Sequence, residues 1–285
     1  MRIVRSTTRQ RALSARWRRK GLCIGLVPTM GALHAGHLSL VRASTEQCDR
    51  TVVSIFVNPL QFGPREDLLE YPRPRTSDRN LLARSGVHVL FAPSTMAMYP
   101  PGFTTAVEVH GSLLQGLCAP FRPGHFQGVT TVVTKLLHVV QPHVVYFGQK
   151  DAQQNKIIQQ MIRDLDLNCS LKVLPIVREP DGLALSSRNR LLTALQRRSA
   201  PVLYGALCAG RAVIGRGARR ASVVRAVMRR ILATESRVRV QYLAIVRAQT
   251  LQPVARLRGK ILLAVAAWLG HIRLIDNLVV RVPQR

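Results

Sequence analysis

Short apolar runs rich in β-branched residues recur through the first two thirds of the chain, each bounded by Gly or Pro and followed by a helical pattern. The runs are residues 24–27, 52–57, 87–91, 144–147 and 171–177, and the helical patterns are residues 38–47, 78–85, 128–140 and 153–164. Continuous apolar runs of that length read as strands buried on both faces. Strand alternating with helix implies an α/β fold, a parallel sheet with helices on both sides. Ligands of such sheets gather at the carboxyl ends of the strands, and the chain's unusual residues fall there.

Beyond Arg188 the pattern changes. Residues 193–214 and 221–233 read as helices joined by Gly215-Arg216-Gly217. Residues 238–246 and 261–269 read as strands, with a turn at Gly270-His271. Pro180, Asp181 and Gly182 break the preceding strand, so a domain boundary is expected between residues 1–180 and a smaller C-terminal α+β domain, residues 181–285. A chain of 285 residues is long enough for one or two domains. With 47% hydrophobic residues and only 5% aromatic, its core must be mostly Leu, Val, Ile and Ala. No apolar run approaches the ~18–20 residues of a membrane span. The five cysteines form no Cys-x-x-Cys pair, which points to reduced, structural thiols in a cytoplasmic protein rather than a disulfide framework or zinc site.

Charge is the most unusual bulk property, +28 in all. Residues 186–285 hold 20 basic residues against 2 acidic. Such a segment invites a nucleic-acid reading. Its arginines are scattered rather than set between aromatics, however, and only six of the 42 basic residues are Lys, which fits compositional drift better. An anionic substrate meets a favourable field in either case. The first 20 residues carry seven Arg, one Lys and no acid. An amphipathic helix with a solvated basic face is favoured there over a targeting segment.

Four segments carry chemistry. Pro28 to His37 follows a strand and opens a helix, joining Gly31 and Gly36 to His34 and His37. Close backbone approach, free helix N–H groups and two imidazoles favour a polyphosphate. A pair of surface histidines and a two-His metal site are the plainer alternatives. Residues 54–63 end a strand in Asn58 and Gln61, amides suited to a hydroxy acid or to loop capping. Residues 147–154 place Lys150 where it could reach a phosphate, and Asp151 where it could meet a ribose or cap a helix. Residues 181–189 set Ser186, Ser187 and Arg188 in a Gly-hinged connection that reads as an anion clamp or a plain linker.

In this order the segments resemble the pantothenate synthetase family, through residues 27–37, 54–62, 122–136, 147–154 and 181–189. Residues 265–270 and 273–277 are also family-like, whereas residues 205–258 match only loosely. The resemblance implies the Rossmann-like architecture of adenylating nucleotidyltransferases, with the histidine turn and the serine-arginine loop on opposite sides of ATP. It implies condensation of pantoate with β-alanine through a pantoyl adenylate, using ATP with Mg2+ as co-substrate, in a cytoplasmic homodimer with no specific nucleic-acid or membrane partner. Met30, Gly31, Ala32, Leu33, His34, Ala35, Gly36 and His37 would hold ATP. So would Gly148, Gln149, Lys150 and Asp151, Val177 at the adenine, and Leu185, Ser186, Ser187 and Arg188. Gln61 and Gln154 would bind pantoate, Gln61 also β-alanine, and Arg122 would lie near the substrate entrance. His37, His34, Lys150 and Arg188 would be catalytic.

The chain departs from the family at several positions. Gln149 replaces a usual Glu, Ser77 a frequent acid and Ala152 a common aromatic, and Cys118 to Phe121 form an unusual lead into Arg122. The changes bear on metal affinity and rate, with Asp78 left as the candidate metal ligand. Two rival readings follow: an adenylate-forming ligase for a different hydroxy acid, and a decayed enzyme acting as a basic RNA-binding protein.

Overall fold

Six parallel strands form one sheet and three antiparallel strands a second. The computed structural model describes residues 1–64, 66 and 68–283, which divide into two units. The first comprises Met1–Val109, Arg122–Gln149 and Ile157–Pro175, the second His110–Phe121, Lys150–Lys156 and Ile176–Arg285. In chain order the elements are β1 (Arg2–Val4), α1 (Thr7–Arg19), β2 (Ile24–Thr29), α2 (Ala35–Gln47), β3 (Arg50–Ile55), α3 (Arg75–Arg84), β4 (Val89–Phe91) and α4 (Thr95–Met98). Then follow α5 (His125–Val140), β5 (Val144–Gly148), α6 (Ala152–Asp164) and β6 (Ser170–Leu174). The remainder is α7 (Ala194–Ser199), α8 (Val202–Gly215), α9 (Ala221–Leu232), β7 (Val238–Arg247), β8 (Lys260–Leu269) and β9 (Ile272–Arg281).

The large sheet has the order β1-β4-β3-β2-β5-β6. Alternate residues of each strand face opposite cores, as the period of two requires. Ile24, Leu26, Val52, Phe91, Val145 and Phe147 pack with α5 and α6, whereas Val27, Val53, Leu90 and Tyr146 pack with α2 and α3. The expected α/β class is the one found. The basic N-terminal segment forms α1, which buries Gln10 and Ser14 and packs Leu13 and Trp17 while Arg9, Arg11, Arg16 and Arg19 stay exposed.

Strand order reverses between β2 and β5, the place where open parallel sheets bind ligands. These strands pair at only two positions, Gly25 with Val144 and Leu26 with Val145. Ile24 accepts from His143, and Thr29 accepts from Phe56 on the opposite side. By alternation Pro28 is the next β5-facing residue after Leu26, and it has no N–H to continue the ladder. Beyond Leu26 and Val145, β2 and β5 therefore stop pairing with each other, while β2 continues along β3 and β5 along β6.

In the second unit α8 and α9 cover one face of the β7-β8-β9 sheet through Leu207, Val224, Met228, Leu263, Val265 and Ala267. The sequence reading of residues 193–214 as one helix needs correcting. Pro201 ends it, giving α7 and α8. Strand β9 was hidden because Arg273, Asp276 and Asn277 interrupt its apolar pattern. The second unit begins at Ile176 and takes in two earlier segments, where the sequence suggests a single cut after residue 180. Packing explains the two segments: Leu117, Leu113 and Ala152 share a cluster with Val246, Leu251, Leu262 and Ala264.

Candidate functional site

In the first unit the chain leaves β2 through Thr29, whose hydroxyl donates to the Ser54 carbonyl at 2.8 Å and accepts from Gly31 N–H at 3.2 Å. Gly31 and Ala32 both have positive φ, +85° and +49°. The turn they make aims the successive N–H groups of Ala32 and Leu33 the same way. They meet Asp78, which is 1% exposed in the first turn of α3. Its two carboxylate oxygens accept from Ala32 and Leu33, both at 2.9 Å. Asp78 thus holds the turn from beneath, its two oxygens turned to backbone N–H groups where the sequence suggested a metal ligand. Among the described residues no group of three or more His, Cys, Asp and Glu could hold a metal ion.

His34 and His37 cap α2 reciprocally. Nδ1 of His34 accepts from Gly36 N–H at 3.2 Å, and Nδ1 of His37 accepts from His34 N–H at 3.4 Å. The rings lie 4.1 Å apart, centroid to centroid. Accepting at Nδ1 leaves the ring proton of each neutral imidazole on Nε2. Helix N–H groups and the positive end of the helix dipole make this turn suited to an anion. Gly148 closes the same unit's β5, and Gln149 follows it as the first residue of a 3-10 turn.

Gln61 ends a short 3-10 turn after β3. Its side-chain oxygen accepts from Asn58 at 3.1 Å, and its Nε2 donates to the Met30 sulfur at 3.1 Å. Asn58 is 1% exposed and also donates to the Gly128 carbonyl at 3.0 Å. Tyr99 donates to its Oδ1 at 2.8 Å. A side chain at Gly128 would overlap the Leu60 carbonyl, so only glycine lets α5 approach this closely. The Gln61 carbonyl accepts from His125 Nδ1 at 2.7 Å. Arg122 pairs with Glu66 through Nε at 2.6 Å and Nη2 at 2.5 Å, and its Nη1 donates to His125 Nε2 at 2.8 Å. Burial tends to raise the Glu66 carboxyl, but Arg122 outweighs it and holds the group below its ordinary range. Arg122 here ties Glu66 to the Gln61 carbonyl, which its Nη2 reaches at 3.5 Å. Sequence reading missed Gly128, Tyr99, His125 and Glu66, whose partners lie far away in the chain.

In the second unit the neighbouring glutamines of α6 divide. Gln153 is 4% exposed; it accepts from Cys118 N–H at 2.8 Å and donates to the carbonyls of Leu113 and Gly116. Gln154 is half-buried. Lys150 and Asp151 lie in the 3-10 turn before α6. Val177 and Leu185, far apart in the expected ligand, are tied directly: Leu185 N–H donates to the Val177 carbonyl at 3.0 Å across a hairpin. Ser186 caps the following 3-10 turn, accepting from Arg188 N–H at 3.3 Å, and Ser187 is buried within it.

The chain matches the family model described as pantoate-beta-alanine ligase over residues 2–279. It is 51% identical to the pantothenate synthetase of Moorella thermoacetica over 99% of both chains. The pantothenate synthetase structure from Thermus thermophilus is similar at 45% identity, covering 98% of this chain and 99% of that one, with a TM-score of 0.94. A Francisella tularensis pantoate-beta-alanine ligase, solved in complex with beta-gamma ATP and beta-alanine, is 34% identical over 98% and 97% of the two chains, with a TM-score of 0.80. With full-length coverage, these matches show that the chain belongs to the pantoate-beta-alanine ligase family.

Proposed function

We propose that the chain condenses pantoate with β-alanine at the expense of ATP, through a pantoyl adenylate. The observation that carries the reading is the histidine capping box after β2, at the point where β2 and β5 cease to pair with each other, in a chain of this family. A pantoate carboxylate oxygen attacks the α-phosphorus of Mg-ATP, and the bond to the bridging oxygen breaks to release pyrophosphate. The β-alanine amine then attacks the pantoyl carbon, loses a proton and expels AMP. No group on the protein becomes covalently modified.

Residues 30–37, 148–151 and 185–188 and Val177 bind ATP in this reading. His34 and His37 donate through Nε2 to phosphate, His37 to the departing pyrophosphate, while Lys150 and Arg188 supply fixed charge and Asp151 meets the ribose. Preorganised donors of this kind stabilise charge spreading over phosphoryl oxygens. Gln61 and Gln154 orient pantoate, and Gln61 lies beside β-alanine. Mg2+ arrives with the nucleotide.

AMP formation from ATP, measured with pantoate and β-alanine together and with other hydroxy acids in pantoate's place, tests the assignment. Turnover only with pantoate is expected; equal turnover with another hydroxy acid would overturn it. Neither the altered-substrate nor the RNA-binding alternative is favoured by the family assignment. We propose further a cytoplasmic homodimer formed away from residues 186–285, whose positive charge opposes an interface there. Sedimentation at moderate salt should give about twice the 31.7 kDa chain mass; a monomer across a wide concentration range contradicts it.

A further inference from the structure

Two adjacent residues of β9, Asp276 and Asn277, are 4% and 3% exposed although both are polar. Asn277 Nδ2 donates to the backbone carbonyl of Lys150 at 2.9 Å. Asp276 receives both arms of Arg178, at 2.6 Å and 2.9 Å, together with the N–H of Asn277 at 2.7 Å. Arg178 Nη1 donates onward to the Gly182 carbonyl at 3.0 Å, and the guanidinium lies 3.8 Å over the Tyr204 ring. Gly182, at φ +92°, lies against that same ring, where a side chain would collide with it. The hairpin that joins Val177 to Leu185 is therefore gripped at its tip by Arg178.

Apolar residues could fill this volume equally well, and a buried ion pair is weak evidence for stability. What an ion pair adds is direction: a bidentate guanidinium and a side-chain amide fix their partners in orientation as well as distance. The partners are the two segments of the second unit read above as nucleotide-binding. Burial raises the Asp276 carboxyl, while Arg178 and, more weakly, Lys150 pull against it. The Lys150 charge is thus within electrostatic reach of Asp276.

We propose that Asp276 and Asn277 are positioning residues for ATP, holding the Lys150 turn and the hairpin of residues 177–185 in register from a single strand. Neither residue touches the nucleotide. The proposal rests on the ATP-binding reading of Lys150 and Val177 given above.

Steady-state kinetics and ATP calorimetry on the full-length chain test it, with Asn277→Ala and Arg178→Lys as variants and thermal melting as a control. Each variant should raise the KM and the Kd for ATP tenfold or more while the KM for pantoate stays within twofold. Arg178→Lys keeps the charge but loses the bidentate grip, so its ATP deficit separates orientation from charge. Wild-type ATP affinity in both variants overturns the proposal, as does an equal loss of ATP and pantoate affinity. If Asn277→Ala fails to fold, Arg178→Lys alone decides. A wild-type chain that binds ATP but makes no pantothenate defeats the ligase reading and leaves the calorimetric test intact; one that binds no ATP defeats this proposal too.

Discussion

The backbone N–H of His34 points at Nδ1 of His37, so the second histidine of the turn completes the helix cap begun by the first. Each ring turns Nδ1 to the helix, and the proposed function gives Nε2 a second task at the phosphates.

Separating these two tasks gives the first prediction. Asn is a favoured N-cap and can replace the Nδ1 acceptor but not the Nε2 donor. His34→Asn should melt within ~1 kcal/mol of wild type yet lose about 10²–10³ in turnover, the usual effect of removing one preorganised donor. Wild-type turnover in the folded variant would remove His34 from the chemistry.

The Glu66–Arg122 pair predicts a pH dependence. A carboxyl held below its ordinary value by Arg122 stabilises the fold above the unfolded pKa, about 4.3, and loses that contribution as pH falls through the lower folded value. The melting temperature of Glu66→Gln should lie below wild type at pH 6 and converge with it towards pH 3. A gap that stays constant across that range would show that the charge is not responsible.

Neighbouring glutamines should fail in opposite ways. Gln153→Ala leaves a buried N–H and two carbonyls without their partner, a cost of roughly 1–3 kcal/mol per unsatisfied group. Gln154→Ala should melt as wild type but raise the KM for pantoate. Melting curves and kinetics on both variants check this, and a stable Gln153→Ala with raised KM would reverse the allocation.

Arginine excess should give RNA binding that is non-specific and falls steeply with salt as counterions are released. Heparin competition is expected to remove it entirely. A sequence-selective complex surviving heparin at physiological salt would restore the RNA-binding reading, since such selectivity needs stacking or base-edge contacts.

Much of the architecture was legible because the large sheet is buried on both faces, and its strands read as unbroken apolar runs. The strand-turn-helix placement of His34, His37, Lys150 and Asp151 could be read for the same reason. What stayed hidden was tertiary. Asp78 reads as a candidate metal ligand until its two oxygens are seen to meet Ala32 and Leu33. Gly128 reads only as the start of a helical pattern until the Leu60 carbonyl is found against it. Asp276 and Asn277 broke the period of β9 because their side chains answer to Arg178 and Lys150 rather than to the core.

Pro28 shows what the omission of one amide hydrogen can do. Any other residue there would offer β5 a donor and invite the two strands to zip together to their tips. A sheet zipped shut would have no mouth between its central strands. The proline withholds that donor, and the sheet is less continuous at the place where the proposed function puts its ligand.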